Sequence, residues 1–181
     1  MKLFPFFLLI IFFSSSVDTT EIATFKISYV IDNSLEFGKF IDKLDILKNK
    51  MQNELVEDEN ELIEKKNKIE ESKIIFSESE YNQQIEDYNI LANSFKEKLG
   101  DFNNHINMNI EKNKQIVINE IIDITKTLSR NKNFDIILNE DQYFLASDDV
   151  DISKQIIEIL NQKKLILKFL SYQNNEKIYL F

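Results

Sequence analysis

YNQQIEDYNILANSFKEKLGDFNNHINMNIEKNKQIVINEIIDITKTL, residues 81–128, places apolar side chains at Tyr81, Ile85, Tyr88, Leu91, Phe95, Leu99, Phe102, Ile106, Ile110, Val117, Ile121, Ile124 and Leu128. The steps are mostly three, four or seven, so these residues fall in one stripe of a long helix with a period of about 3.5. Upstream, Phe40, Leu44, Leu47, Met51, Leu55, Leu62 and Ile69 form a matching stripe. They predict a helix of about 35 residues, on the order of 50 Å long. Between the stripes, residues 72–79 lose the pattern and gather small polar residues. Two stripes of one period separated by a short polar break predict an antiparallel helical hairpin, because each half must bury its stripe and the nearest partner is the other half. The arm is expected over 35–129, with its tip at 73–80 near Ser77. Asp58 and Lys65 interrupt the first stripe, and the acidic block from Glu54 to Glu64 reads as a solvated face. Gly100 falls mid-helix and reads as a tolerated position.

Composition agrees with few, long elements. The 181 residues include two Gly and one Pro, Pro5, so the usual punctuation of turns is almost missing. Cysteine is absent, which excludes disulfides, thiolate metal sites and thiol nucleophiles. The formal net charge of −9 repels phosphate backbones and anionic membranes, so nucleic acid is not an expected partner.

The flanks of the hairpin read differently. Lys2, the apolar run from Leu3 to Phe13 and Ser14-Ser15-Ser16 have the layout of a cleaved secretory signal over residues 1–16, too short to span a bilayer. Residues 24–30 alternate Phe25, Ile27 and Tyr29 with Lys26 and Ser28, which predicts a strand. Asp32, Asn33 and Ser34 follow as a turn and helix cap. Beyond Ser129, residues 134–138 and 143–146 are aromatic and β-branched around Asn139-Glu140-Asp141, predicting a hairpin of two strands. Asp151-Ile152-Ser153 introduces an amphipathic helix with Asp151 or Ser153 as its cap, and residues 165–181 suggest a further β-hairpin. The expected fold is mainly α with a small β body, 24–34 and 130–181, from which the arm projects. Three short strands expose edges and bury little apolar surface, so the body is expected to oligomerise. Phe25, Ile27, Tyr29, Phe134, Ile136, Leu138 and Tyr143 are the candidates for that core.

In the order and spacing of these features the chain resembles the Skp/OmpH family of periplasmic chaperones. The matching parts are Lys26-Ile27-Ser28-Tyr29-Val30, the Ser34-Leu35 start, the long charged hairpin, Phe134-Asp135-Ile136-Ile137-Leu138, the stretch around Tyr143, and Asp151-Ile152-Ser153 before a short helix. They run from about residue 25 to 160. The resemblance implies a homotrimer with a β-barrel-like body and three arms around a cavity, holding unfolded outer-membrane β-barrel proteins in the periplasm without ATP. Departures are Ile31 before Asp32 after the first strand, a tail over 161–181 past the usual end, and acidity where some members are basic and linked to lipopolysaccharide. Lipopolysaccharide binding is therefore not carried over.

No catalytic set converges in the sequence, and neither cofactor, metal nor small-molecule substrate is expected. His105, the only histidine, reads as a helix-surface or seam residue. Asp148, Asp149 and Asp151 lack the glycine and distal glutamate of an EF-hand and read as caps. Tyr81, Tyr88, Phe95 and Phe102 are candidates for client contact, although such spacing more often marks a seam. The alternative reading is a structural or tethering coiled-coil protein of the cell envelope, but a plain tether has no need of a β body.

Overall fold

The computed structural model describes residues 19–170 together with 172–174 and 177–179. The signal expected at 1–16 lies outside the described residues. Two helices dominate: α2, Leu35–Ser72, and α3, Glu78–Lys132, joined by a five-residue turn over 73–77. Side chains supply their ends. Ser34 Oγ accepts from Phe37 N–H at the start of α2. Ser77 and Glu80 form a reciprocal capping box at the start of α3. At its other end α3 stops on Asn133 in the left-handed conformation (φ 56°), with Arg130 and Lys132 in the last turn where positive charge suits the helix dipole. The helices run antiparallel. Asp58, which interrupts the α2 stripe, forms an ion pair with Lys98 of α3 and so helps set the register across the seam.

Two apolar clusters divide along α3. Phe40, Leu44, Leu47, Met51 and Leu55 of α2 close on Phe102 and Ile106 to make the arm core. Val117, Ile121, Ile124 and Leu128 belong instead to the body, buried with Ala23, Phe25, Val30, Ile31, Ile152, Ile156 and Leu160. The body elements around α3 are β1 (Ile22–Phe25), α1 (Ile27–Asp32), β2 (Ile136–Asn139) and α4 (Ser153–Gln162).

The body corrects several expectations. The first strand ends at Phe25, and Ile27 begins helix α1. The cause is capping at long range. Lys26 N–H donates to Ser153 Oγ (2.9 Å), Ile27 N–H to Asn139 Oδ1 (3.2 Å) and Ser28 N–H to Glu140 Oε1 (3.3 Å), which satisfies amide groups that a new helix would otherwise leave bare. The 134–146 hairpin is also absent. β2 pairs in parallel with β1, Ile22 opposite Ile136 and Phe25 opposite Asn139, so the whole arm is the crossover between them. Asn139 then opens a 3-10 turn, Glu140–Gln142, which carries the chain away from the sheet, and residues 143–146 form no strand. Phe144 is fully exposed there.

Helix α4 begins where expected, although its boundary residue is Ile152. Asp151 Oδ1 accepts from Ser153 N–H (2.8 Å), and Lys26 pairs with Asp151 at 3.4 Å. Burial pushes the Asp151 carboxyl up, but the hydrogen bonds from Ser153 and the neighbouring Lys26 outweigh it and hold it below the usual carboxylate range. At the far end of α4, Asn161 accepts from Leu35 N–H (2.8 Å) and donates to Asn33 carbonyl (3.1 Å), clasping the α1–α2 junction. The tail continues without helix or strand over 164–170 and then forms the antiparallel pair β3 (Tyr172–Asn174) and β4 (Lys177–Tyr179).

A Cβ added at Gly100 would meet nothing within 4 Å, and the residue is not in a positive-φ conformation. Gly100→Ala should therefore stabilise the chain by about 1 kcal/mol through helix propensity alone. Urea unfolding should show a higher midpoint at unchanged slope, and an unchanged or lower midpoint would mean that the site is bent or packed against something.

Candidate functional site

Packing loosens from the base of the arm towards its tip. After Leu55 and before Phe102, Ile69 is the only buried hydrophobic residue among those described. Leu62, Tyr81, Ile85, Tyr88 and Phe95 keep their stripe positions but are half-buried. A groove of ≈ 470 Å³ opens near the turn, with Lys65, Ile69, Phe76 and Gln84 among its lining residues. Fewer buried contacts make this distal half cheaper to open than the base.

Large apolar side chains also point to solvent. On α2 they are Leu35, Ile46, Val56 and Ile63; on α3 they are Ile90, Leu91, Leu99, Met108 and Ile122. The turn itself is Ile74-Ile75-Phe76, with Ile74 95% and Ile75 81% exposed. Several stand beside charges, as Ile46 does after Asp45, Val56 before Glu57-Asp58-Glu59, Ile63 before Glu64 and Leu99 after Lys98, whereas Ile90-Leu91 and Ile74-Ile75-Phe76 form short runs. Such a surface offers many small apolar footholds rather than one continuous patch.

The four candidates for client contact occupy different environments. Phe102 is 3% exposed and fills the arm core, and Phe95 packs against that core. Tyr81 and Tyr88 lie on the half-open distal seam. The oligomerisation candidates divide as well. Phe25 is buried in the body core, with Ile27 and Phe134 packed on it. Leu138 and Tyr143 are half-buried, whereas Tyr29 and Ile136 are exposed. Ile22, the strand partner of Ile136, is exposed too, as are Phe144 and Leu145. The aspartates act locally: Asp151 serves α4, and Asp149 N–H donates to Ser147 Oγ in the preceding turn.

A polar ladder at the arm base escaped the sequence reading. His105, Asn109 and Asn113 follow one another at four-residue steps on α3, and all three are buried. Asn109 Nδ2 lies 3.0 Å from His105 Nε2 and donates to the His105 carbonyl (2.9 Å), while Asn113 Nδ2 donates to the Asn109 carbonyl (2.8 Å). Their remaining bonds go to the backbone of the tail. The signal was a skipped step in the stripe between Ile110 and Val117, where Asn113 takes the seam position, with a second amide, Asn109, one turn before it. Amides so placed imply a polar partner, because a buried amide without one is costly.

A family model described as outer membrane protein (OmpH-like) matches residues 21–160. No curated protein matches the chain in sequence. Among solved structures, a crystal structure from Caulobacter crescentus CB15, described as an outer membrane chaperone (OmpH-like), superposes with a TM-score of 0.73 at 15% identity, covering 88% of this chain and 94% of that one. At this identity the match concerns the fold.

Burial lowers the His105 pKa, and a hydrogen bond with the Leu170 backbone opposes that shift. The ring should thus titrate below the ordinary histidine value of about 6.5. Between that value and the depressed one the unfolded chain binds a proton that the folded chain does not, so stability is complete above this window and falls as pH is lowered through it. NMR of the single imidazole, combined with urea unfolding across pH, checks both statements. A midpoint at or above the ordinary value would show that burial does not dominate the ring's titration.

Proposed function

Because the chain belongs to the OmpH-like family of outer membrane proteins, we propose that it is an ATP-independent holding chaperone of the periplasm, which binds unfolded outer-membrane β-barrel proteins between helical arms and prevents their aggregation. The observation that carries this reading is the arm surface. Large apolar side chains stand exposed singly or in short runs on both helices and at the turn, on a hairpin whose own seam is already filled at the base. An unfolded chain meets many weak sites there, so it is retained by multiplicity yet keeps its mobility and leaves when a better partner competes. Tyr81 and Tyr88 suit this role better than Phe102, since a half-buried phenol offers apolar surface and tolerates water at its hydroxyl.

Assembly as a homotrimer through the body is part of the proposal. Two-stranded sheets are marginal alone, and parallel pairs are normally covered on both faces. Here the paired Ile22 and Ile136 are exposed at one end of the register, and Tyr29, Phe144 and Leu145 are exposed on the same body. Burial of these side chains against neighbouring subunits would supply roughly 1.5–3 kcal/mol for each one fully covered. Periplasmic location is part of the same proposal, supported by the family and by the signal expected at residues 1–16.

The test is dilution of a urea-denatured outer-membrane β-barrel protein into the purified chain, with light scattering and the mass of the complex recorded together. Suppressed aggregation in a complex of three subunits with one client is expected. Replacing Ile74 and Ile75 by Ser should weaken suppression severalfold without changing the oligomer, since both side chains are exposed at the turn. Unimpeded aggregation by an intact oligomer would instead favour a structural tether.

A further inference from the structure

The tail beyond residue 160, where the family match ends, is not loosely appended. Over 165–170 it forms neither helix nor turn, and its burial alternates as in a strand, with alternate side chains entering the molecule: Leu165 and Leu167 pack on the body core, and Leu167 and Phe169 on the arm core. Phe169 stacks on Phe40 with ring centroids 4.9 Å apart. Ile166 and Lys168 point outwards.

Its backbone is read by the polar ladder of α3. Lys168 N–H donates to Asn113 Oδ1 (2.9 Å) and the Lys168 carbonyl accepts from Asn113 Nδ2 (2.9 Å). This is the two-bond exchange that a neighbouring strand would make, performed by a side-chain amide. Two residues on, Leu170 N–H donates to Asn109 Oδ1 (2.8 Å), and the Leu170 backbone is bonded with His105. The periods agree: one helical turn rises about 5.4 Å and two strand residues about 6.6 Å, so side chains four apart on a helix can meet every second residue of a strand. Apart from the apolar contacts, the recognition is blind to side-chain identity.

We propose that the base of the arm is a strand-receiving groove, formed by Phe40 of α2 and by His105, Asn109 and Asn113 of α3, which the tail occupies in cis and which takes an extended client segment with apolar side chains at alternate positions when the tail is displaced. The occupant follows from the groove's own demands. It requires a free backbone edge and an apolar side chain at every second residue, and the strands of an outer-membrane barrel alternate apolar and polar residues in this way. The identity of the client rests on the chaperone reading; the groove itself does not. A tail docked in most molecules lowers the apparent affinity for any competing strand by the fraction of grooves left open.

Lys168→Pro in the full-length chain tests this with least disturbance. The Lys168 side chain is exposed, and proline fits an extended backbone while removing the N–H that Asn113 accepts. The probes are a labelled peptide of residues 163–170, KKLILKFL, and a synthetic barrel strand with alternating apolar residues. Fluorescence anisotropy should show both binding the Lys168→Pro chain about tenfold or more tightly than the unaltered chain, one per subunit and in competition with each other. Adding Asn113→Leu should abolish the gain. The single His105 ring, followed by NMR, should shift when the tail is released and return when peptide binds. A chain ending at residue 163 should behave like Lys168→Pro.

If the His105 signal moves but neither peptide binds, or if the tail peptide binds and the barrel strand fails to compete, the groove is a permanent seat for the tail and the proposal is overturned. Strand binding by a chain that does not suppress aggregation of the whole denatured protein would leave the groove standing and remove the chaperone reading.

Discussion

A chain with so little glycine and proline cannot break its long helix cheaply, and the continuity of α3 governs the rest of the fold. One apolar stripe on this helix passes from Phe102 and Ile106 in the arm core to Val117, Ile121, Ile124 and Leu128 in the body core. The arm is therefore not a separate domain on a linker. Any tilt of the arm relative to the body must bend a helix or shear a packed stripe, and both cost more than rotation about a loop. Phe37 and Leu167, packed against both clusters, close the same junction from the other side.

Reversals of direction fall instead to side chains that bond to distant backbone. Ser153, Asn139 and Glu140 cap α1 from more than a hundred residues away, and Asn161 holds the entry to α2. Asn109 and Asn113 do the same for the tail. Each such bond ties two segments and satisfies a group that burial would otherwise penalise. The body thus depends on long-range polar contacts even though its core is small.

That dependence explains what was legible in the sequence. The two long helices, the cap at Ser34, the tip near Ser77, the start of α4 and the antiparallel pair in the tail are local patterns, and periodicity and capping chemistry reveal them. The end of β1 is not local. Phe25, Ile27 and Tyr29 alternate, but Ile27, Val30 and Ile31 also satisfy a helical spacing, and the choice is made by acceptors on Asn139, Glu140 and Ser153. Residues 143–146 have strand-like composition but form no strand, because the 3-10 turn Glu140–Gln142 carries them away from the sheet before they can fold back on β2. In the site, the aromatic stripe was visible as a stripe, but its division into a filled base and a half-open distal seam depends on how the partner helix packs. The ladder left only the skipped step between Ile110 and Val117, readable once a seam amide such as Asn113 is taken to imply a polar partner opposite it.

Recognition of backbone rather than side chains also suits holding without fuel. A site that selects by side-chain fit gains affinity for one sequence and loses it for others, whereas Asn113 offers the same donor and acceptor to any extended residue. The remaining filter is the alternation demanded by the surroundings of Leu165, Leu167 and Phe169, which separates barrel-like strands from uniformly polar chain. The tail meets that filter itself. An empty groove would open the face of Phe40 and the amides of Asn109 and Asn113 to water, so an occupant in cis keeps apolar surface covered at the base of the arm between clients. Displacement then exchanges one set of backbone hydrogen bonds for another, a nearly balanced step that needs no external energy and is decided by the apolar side chains that accompany each strand.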